Sequence, residues 1–167
     1  MVDPQIEKAL NQQISHEMAS AYAYLAMAVH FEHQNLGGMA HWMHLQRNEE
    51  QAHATRLIKY LLDRGGAVDL GALQKPRSDY GSIREVFETA LEMEQANTRA
   101  INEVYALAVQ LKDYATQSNI QWFVDEQVEE EKLMDEVLAL VKMADDAPSS
   151  LLVLNKQLSE RQTAANG

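Results

Sequence analysis

Four glutamates interrupt apolar stripes in the 167-residue chain: Glu17, Glu50, Glu94 and Glu130. In steps of seven residues, for example, Glu17 lies between Leu10 and Tyr24, and Glu50 lies between Met43 and Leu57. A buried carboxylate without a compensating cation costs several kcal/mol. Each of four separate segments carries one such glutamate near its middle. The pattern therefore predicts a cation site in the core.

The chemistry of this predicted site favours a pair of metal ions. None of the 14 Lys and Arg residues lies on the stripes, so the cation must come from outside the chain. His53 follows Glu50 by three residues, which places both side chains on one helix face. Four carboxylates, one imidazole and no sulfur favour iron or manganese over a structural zinc ion. Two divalent ions would balance four carboxylates, and Glu50 is the best-placed bridge between them.

Long helices are needed to hold these residues at one depth. Only seven glycines and three prolines punctuate the chain, and the stretches between them are rich in good helix formers. No stretch shows the alternation of a strand. We predict four long helices at residues 4–33, 38–64, 82–111 and 115–144, followed by a short helix at 149–160. Ser149 or Ser150 is the expected N-cap of the short helix.

The connections between the helices predict the topology. The links around residues 35–38 and 112–114 are short, so each joins antiparallel neighbours. Residues 65–81 can extend about 53 Å, which exceeds the roughly 42 Å length of a long helix here. We therefore predict an all-α, antiparallel four-helix bundle at about 4–144, with one long crossover between the second and third helices. The chain, residues 1–167, is expected to form a single domain.

The composition narrows the classes of partner. With 14 basic and 25 acidic residues the formal charge is −11, which disfavours nucleic acid and anionic membrane surfaces. The sequence contains no cysteine, so it offers no disulfide, thiolate metal site or cysteine nucleophile. It also lacks a signal-peptide pattern and any apolar run near the ~20 residues that span a bilayer. We expect a cytoplasmic protein whose small partners are cations.

A set of motifs covers most of the chain: Glu17 with Tyr24, Glu49-Glu50-Gln51-Ala52-His53, Glu94, and Glu126-Gln127-Val128-Glu129-Glu130-Glu131. Their combination resembles the ferritin family, in particular the bacterial non-haem ferritins, from Asp3 to about Arg161. The resemblance implies a ferritin-like bundle that assembles into a hollow shell of 24 subunits. It also implies a ferroxidase, which oxidises Fe(II) with dioxygen or peroxide and stores the product as ferric mineral.

The resemblance implies two iron positions in each subunit. Glu17, Glu50 and His53 match the family's first iron site. Glu50, Glu94 and Glu130 match the second. The second position lacks a histidine, so it is expected to hold iron more loosely than the first.

Other matching residues lie beside this pair. Gln127 matches a residue that hydrogen-bonds at the metal site, and Tyr24 matches a tyrosine that can hydrogen-bond a ligand carboxylate or donate an electron. Tyr24 could equally be a core aromatic residue. Glu49, Glu126 and Glu129 match a third, weaker iron site, although a solvated acidic face would give the same pattern.

One departure concerns haem. The related bacterioferritins carry a haem-binding methionine immediately before the histidine of the second-helix motif, where this chain has Ala52. No haem is therefore expected.

Several functions remain open from the sequence. Within di-iron chemistry, the protein could be a peroxidase or a detoxifying ferroxidase that does not store iron. A DNA-protecting miniferritin is disfavoured because its metal site lies between subunits and because this chain lacks a basic tail. A helical scaffold without metal leaves the four core glutamates unexplained.

The C-terminal segment is too apolar for a free tail. Residues 151–154 are all apolar, and Leu158 follows at helical spacing. The segment is expected either to dock on its own bundle or, as the resemblance implies, to pack around a four-fold axis of the shell.

Overall fold

The computed structural model describes residues 2–144 and 147–162, and it contains five helices and no strands over that part of the chain. They are α1 (Pro4–His33), α2 (Gly37–Asp63), α3 (Ile83–Gln110), α4 (Tyr114–Ala144) and α5 (Pro148–Ser159). The hairpin of α1 and α2 and that of α3 and α4 are joined by one long crossover. The predicted all-α bundle is therefore confirmed, with helix boundaries within about one residue of those expected. Met1, residues 145–146 and residues 163–167 of the predicted domain lie outside the described residues.

Local capping explains where the helices begin. Asp3 caps α1 by accepting a hydrogen bond from the Gln5 backbone N at 2.8 Å, and Ser82 caps α3 in the same way. The expected serine cap of α5 is wrong. That helix starts at Pro148, with Ala147 as N-cap and no side-chain hydrogen bond. Proline suits the first helical position because its φ is already helical and its missing N–H would have no partner there.

The bundle core consists of two apolar layers with a polar layer between them. One apolar layer centres on Phe31, Trp42 and Phe87, and the other surrounds Leu10 and Phe123. The stripe glutamates lie between these layers and are at most 5% exposed. The same four helices therefore hold four carboxylates at one depth, shielded from water on both sides.

Helix α5 docks on its own bundle through a close contact with the start of α2. A Cβ atom added to Gly38 would lie 1.6 Å from the Asn155 backbone oxygen, so this contact requires glycine. The Asn155 side chain accepts a hydrogen bond from the Met39 backbone N at 3.0 Å, while Leu154 and Leu158 are buried. Docking on the chain's own bundle is thus confirmed, and packing around a four-fold axis stays a prediction.

None of the helices in the described part of the chain combines the length and the hydropathy needed to cross a membrane.

Candidate metal centre

The centre of the polar layer brings together Glu17 of α1 with Glu50 and His53 of α2. The His53 Nδ1 atom lies 3.7 Å from Glu17 Oε2 and 3.8 Å from Glu50 Oε1. Within residues 2–144 and 147–162, this is the only group of three acidic or histidine side chains whose potential ligand atoms lie within 4.8 Å of one another. The two helices of one hairpin thus present three metal-binding atoms to a single point.

Three buried atoms of this group have no hydrogen-bond partner: both carboxylate oxygens of Glu50 and Nδ1 of His53. Leaving a buried polar group unsatisfied costs about 1–3 kcal/mol, and more when it is charged. Such atoms are rare in folded proteins and require an explanation. A divalent cation among them would satisfy all three at once.

Two amide side chains hold Glu17 in place. Gln13 donates to Glu17 Oε1 at 2.6 Å, and Asn97 donates to Glu17 Oε2 at 3.3 Å. Gln13 also donates to Asn97 at 2.7 Å, which links α1 to α3. The orientation of the Glu17 carboxylate is therefore fixed by the protein itself.

Glu94 of α3 is positioned by a tyrosine and a glutamine. The Tyr24 hydroxyl donates to Glu94 Oε1, and Gln127 donates to Glu94 Oε2 at 3.3 Å. Burial, together with the charge of Glu94, raises the pKa of Tyr24 well above its ordinary value, so the phenol keeps its proton and acts as a donor. Tyr24 thus lies beside the predicted centre, in direct contact with one of its carboxylates.

Glu130 of α4 is linked by hydrogen bonds, through Gln46, to Arg161, which lies outside the four long helices. Gln46 of α2 donates to Glu130 Oε2 at 2.8 Å and accepts from Arg161 at 2.5 Å. Arg161 follows α5 and also bonds both carboxylate oxygens of Glu49, at 2.9 and 3.2 Å. A residue at the C-terminal end therefore contacts the flank of the candidate centre.

The pKa values show that the polar layer resists carrying four negative charges. Burial, reinforced by the charge of Glu17, raises the pKa of Glu50 well above its usual range. Burial and the charge of Glu130 raise the pKa of Glu94 to about 7. Burial opposes ionisation of Glu17 as well, but its interactions with His53 and Gln13 prevail and lower its pKa. Burial likewise opposes protonation of His53, but Glu17 prevails and raises the pKa of His53. Cations entering this layer would therefore release protons.

The predicted third group is more loosely arranged. Glu126 is partly buried, and burial followed by the charges of Glu129 and Glu49 raises its pKa. Glu129 is exposed, and Glu49 is paired with Arg161. The structure therefore brings Glu17, Glu50 and His53 together, whereas the outer carboxylates of Glu49, Glu126 and Glu129 do not meet at one point.

Sequence reasoning identified Gln127 but missed the other three amides that accompany the four glutamates. Gln13 precedes Glu17 by four residues, and Gln46 stands in the same relation to Glu50. Asn97 lies three residues after Glu94, and Gln127 lies three before Glu130, so all four helices repeat the pairing. This regular spacing was available in the sequence. Arg161 had no such signal, because its segment lies outside the bundle.

The fold and the site define a four-helix bundle protein with a carboxylate-rich polar layer that could hold a metal ion. A model of the ferritin-like domain family matches residues 7–144, and the chain belongs to this family. Bacterial non-heme ferritins of Staphylococcus aureus (strain USA300) and Bacteroides fragilis (strain 638R) are each 35% identical over 161 residues. These matches cover 96% of this chain and 97% and 100% of the two relatives, respectively.

Solved structures agree with this assignment. The open pore ferritin of Archaeoglobus fulgidus superimposes with a TM-score of 0.95 at 38% identity, covering 97% of this chain and 100% of the other. An engineered closed form of the same ferritin gives a TM-score of 0.96, also at 38% identity, over 98% of this chain and 100% of the other. The predicted resemblance to non-haem ferritins and the ferritin-like fold are both confirmed.

Proposed function

We propose that the protein binds Fe(II) in the polar layer, oxidises it with dioxygen or peroxide, and stores the product as ferric mineral inside a shell of 24 copies. The observation that carries the proposal is the unpartnered set of Glu50 oxygens and His53 Nδ1, buried and facing Glu17. Membership of the ferritin-like family supports the same conclusion.

Two iron ions are the substrate at this centre. Glu17, Glu50 and His53 hold the first ion, while Glu50, Glu94 and Glu130 hold the second. Glu50 is shared because neither of its oxygens is engaged by a protein donor. Carboxylate oxygens are hard donors, so they stabilise the ferric product more than the ferrous substrate.

The chain's own residues prepare this chemistry. Each Fe(II) gives up one electron, and dioxygen that receives two electrons and two protons becomes hydrogen peroxide. Tyr24 and Gln127 orient Glu94, while Gln13 and Asn97 orient Glu17, so the carboxylates are positioned before iron arrives. The apolar layers on either side keep bulk water away from the reacting ions.

The outer carboxylates Glu49, Glu126 and Glu129 act after oxidation, as a weak site through which ferric iron leaves the centre. Their position on the flank of the polar layer supports this order.

The test of the ferroxidase proposal is stopped-flow absorbance after mixing apo-protein with two Fe(II) per chain and oxygen. The wild type should give a fast phase, and His53→Ala should slow that phase at least a hundredfold because one ligand is lost. His16→Ala is the matched control, since His16 is adjacent to Glu17 in sequence but lies outside the group. Fast oxidation that survives in His53→Ala would contradict the site assignment.

Storage is tested separately by light scattering and iron loading. A cytoplasmic iron store should have a mass of about 450 kDa, 24 times the 18.9 kDa of one chain, and should take up far more than two iron ions per chain. A small assembly that retains fast oxidation would instead favour a non-storing di-iron peroxidase or a detoxifying ferroxidase.

A further inference from the structure

Arg161 makes an ion pair beside the metal centre that, like the Arg64–Asp113 pair, is more shielded than the other ion pairs of Lys and Arg among the described residues. Its guanidinium donates to both oxygens of Glu49, at 2.9 and 3.2 Å, and to Gln46 Oε1 at 2.5 Å. The Arg161 and Glu49 side chains are only 17% and 18% exposed. One guanidinium nitrogen contacts both carboxylate oxygens and another binds Gln46. A charge-assisted, largely shielded pair of this kind is stronger than an exposed ion pair.

The surroundings of Arg161 hold it in this position. The guanidinium carbon lies 4.8 Å from the centroid of the Trp42 ring, and the Arg161 carbonyl accepts a hydrogen bond from His41 Nε2 at 2.9 Å. Helix α5, which precedes it, is anchored by buried Leu158 and by the contact between Gly38 and Asn155. The docking of the C-terminal segment thus places one positive charge, that of Arg161, at the flank of the polar layer.

Gln46 transmits the influence of Arg161 to Glu130. Gln46 is fully buried, and its amide can be oriented in two ways. Because Arg161 donates to the oxygen, the nitrogen must face Glu130, where it donates to Oε2 at 2.8 Å. The reverse orientation would oppose the Gln46 oxygen to the Glu130 carboxylate and the Gln46 nitrogen to a cation.

We propose that Arg161 is a positioning residue for the metal centre. Its guanidinium pairs with Glu49 and, through Gln46, orients Glu130 towards the second iron position. An ion can use Glu49 only after the guanidinium has left it. Arg161 therefore weakens the outer site and strengthens the second inner site. This inference rests on the proposed function, since it concerns the same iron positions.

The test is calorimetric titration of the assembled apo-protein with Zn(II), which binds carboxylates and histidine but is not oxidised. In Arg161→Gln the first ion should bind unchanged, because Glu17 and His53 make no contact with Arg161. The second should bind a few-fold more weakly, and the third about tenfold more tightly, because Glu49 is released. Arg161→Lys keeps the charge but lacks the two separate nitrogens that bind Glu49 and Gln46. Its titration should therefore fall between those of the wild type and Arg161→Gln.

Arg56→Gln is the matched control for charge. Arg56 is an exposed cation that also acts on Glu126, but it stacks on Trp122 at 3.9 Å and forms no hydrogen bond with Glu49. Removing it should tighten all three ions slightly and equally. If Arg161→Gln gives that same uniform change, Arg161 is only a background charge and the proposal is overturned.

A double-mutant cycle with Glu49→Gln completes the test. When Glu49 is already changed, Arg161→Gln should no longer affect the third ion. Uniform weakening of every ion in Arg161→Gln would mean a merely structural role and would also overturn the proposal. If instead the wild type binds no pair of tight ions at all, the proposed ferroxidase function itself fails, whatever Arg161 does.

Discussion

Two adjacent glutamates of α2, Glu49 and Glu50, differ in burial and in their hydrogen-bond partners. Glu50 points into the polar layer, is fully buried, and has no hydrogen-bond partner on either oxygen. Glu49, about 100° around the helix, lies on the flank and has both oxygens bound by Arg161. The chain therefore supplies its own cation for the outer carboxylate and none for the inner one, where we propose that a metal ion binds.

The same distinction separates the central layer from its flank. In the centre, amides such as Gln13, Asn97 and Gln127 orient the carboxylates but carry no charge to neutralise them. On the flank, the guanidinium both orients and neutralises Glu49. Hydrogen bonding thus accounts for the orientation of Glu17 and Glu94, and the remaining negative charge accounts for the expected preference of the centre for cations.

Changing each of the two glutamates to glutamine should produce the largest contrast. Glu50→Gln removes the proposed bridging carboxylate, so fast Fe(II) oxidation should fall at least a hundredfold in stopped-flow absorbance. Glu49→Gln should leave the first fast phase within about threefold of wild type, because Glu49 is not an inner ligand. Equal losses in the two variants would remove the distinction between centre and flank.

The same two substitutions should have the reverse order of effect on the thermal stability of the apo-protein, with Glu49→Gln the more damaging. Glu50→Gln replaces an unpartnered acid with a neutral side chain, so it should not destabilise the apo-protein. Glu49→Gln breaks the shielded ion pair with Arg161 and should lower stability by about 1–3 kcal/mol. Differential scanning calorimetry of both variants decides this, and a destabilised Glu50→Gln would show that Glu50 has a partner within the fold.

The pH dependence of apo-protein stability comes next. Because the pKa values of Glu50, Glu94 and Glu130 are raised by burial, the folded state binds more protons than the unfolded state. Stability should therefore fall as pH rises from about 4.5, and for Glu94 through its pKa of about 7. Glu94 alone corresponds to about 3 kcal/mol.

Calorimetric midpoints of the metal-free protein between pH 5 and pH 8 measure this trend. The raised pKa of His53 acts in the same direction, whereas the lowered pKa of Glu17 matters only below about pH 4.5. Glu94→Gln should flatten the curve. Stability that rises with pH across this range would contradict the charge crowding described for the polar layer.

A smaller effect is expected from Tyr24→Phe. Loss of the hydroxyl removes a hydrogen bond that lowers the pKa of Glu94, so Glu94 should be protonated to higher pH. The second Zn(II) should then bind about tenfold more weakly near pH 6.5, with a smaller difference at pH 8. Tyr60→Phe, whose hydroxyl bonds Thr116 near the end of the bundle, is the matched control. Identical titrations of both variants would show that Tyr24 does not tune the centre.

Most of the fold was predictable because its signals are local and periodic. The seven-residue spacing of the apolar stripe places Leu10, Glu17 and Tyr24 on one face of α1, and all three are buried in the structure. Glycine or proline lies close to the ends of α1 and α2 and to the starts of α3 and α5, although the link between α3 and α4 contains neither. The cap of α5 was mispredicted because a serine after Pro148 looks like an N-cap, whereas the proline itself satisfies the first helical position.

The candidate centre was predictable only in part. Glu50 and His53 were found because a buried charge in an apolar stripe is conspicuous, and their unpartnered atoms agree with that reasoning. Arg161 could not be found in this way. Its contact with Glu49 joins residues 112 positions apart through the docking of α5, which no local pattern encodes.

The most direct test of the account is anomalous diffraction from a crystal soaked with Fe(II) under anaerobic conditions. The account predicts one iron among Glu17, Glu50 and His53 and a second among Glu50, Glu94 and Glu130, about 3.5–4 Å apart, with Arg161 still on Glu49 at low occupancy of the outer site. Iron bound only on the outer acidic flank, with none touching Glu50 or His53, would contradict it.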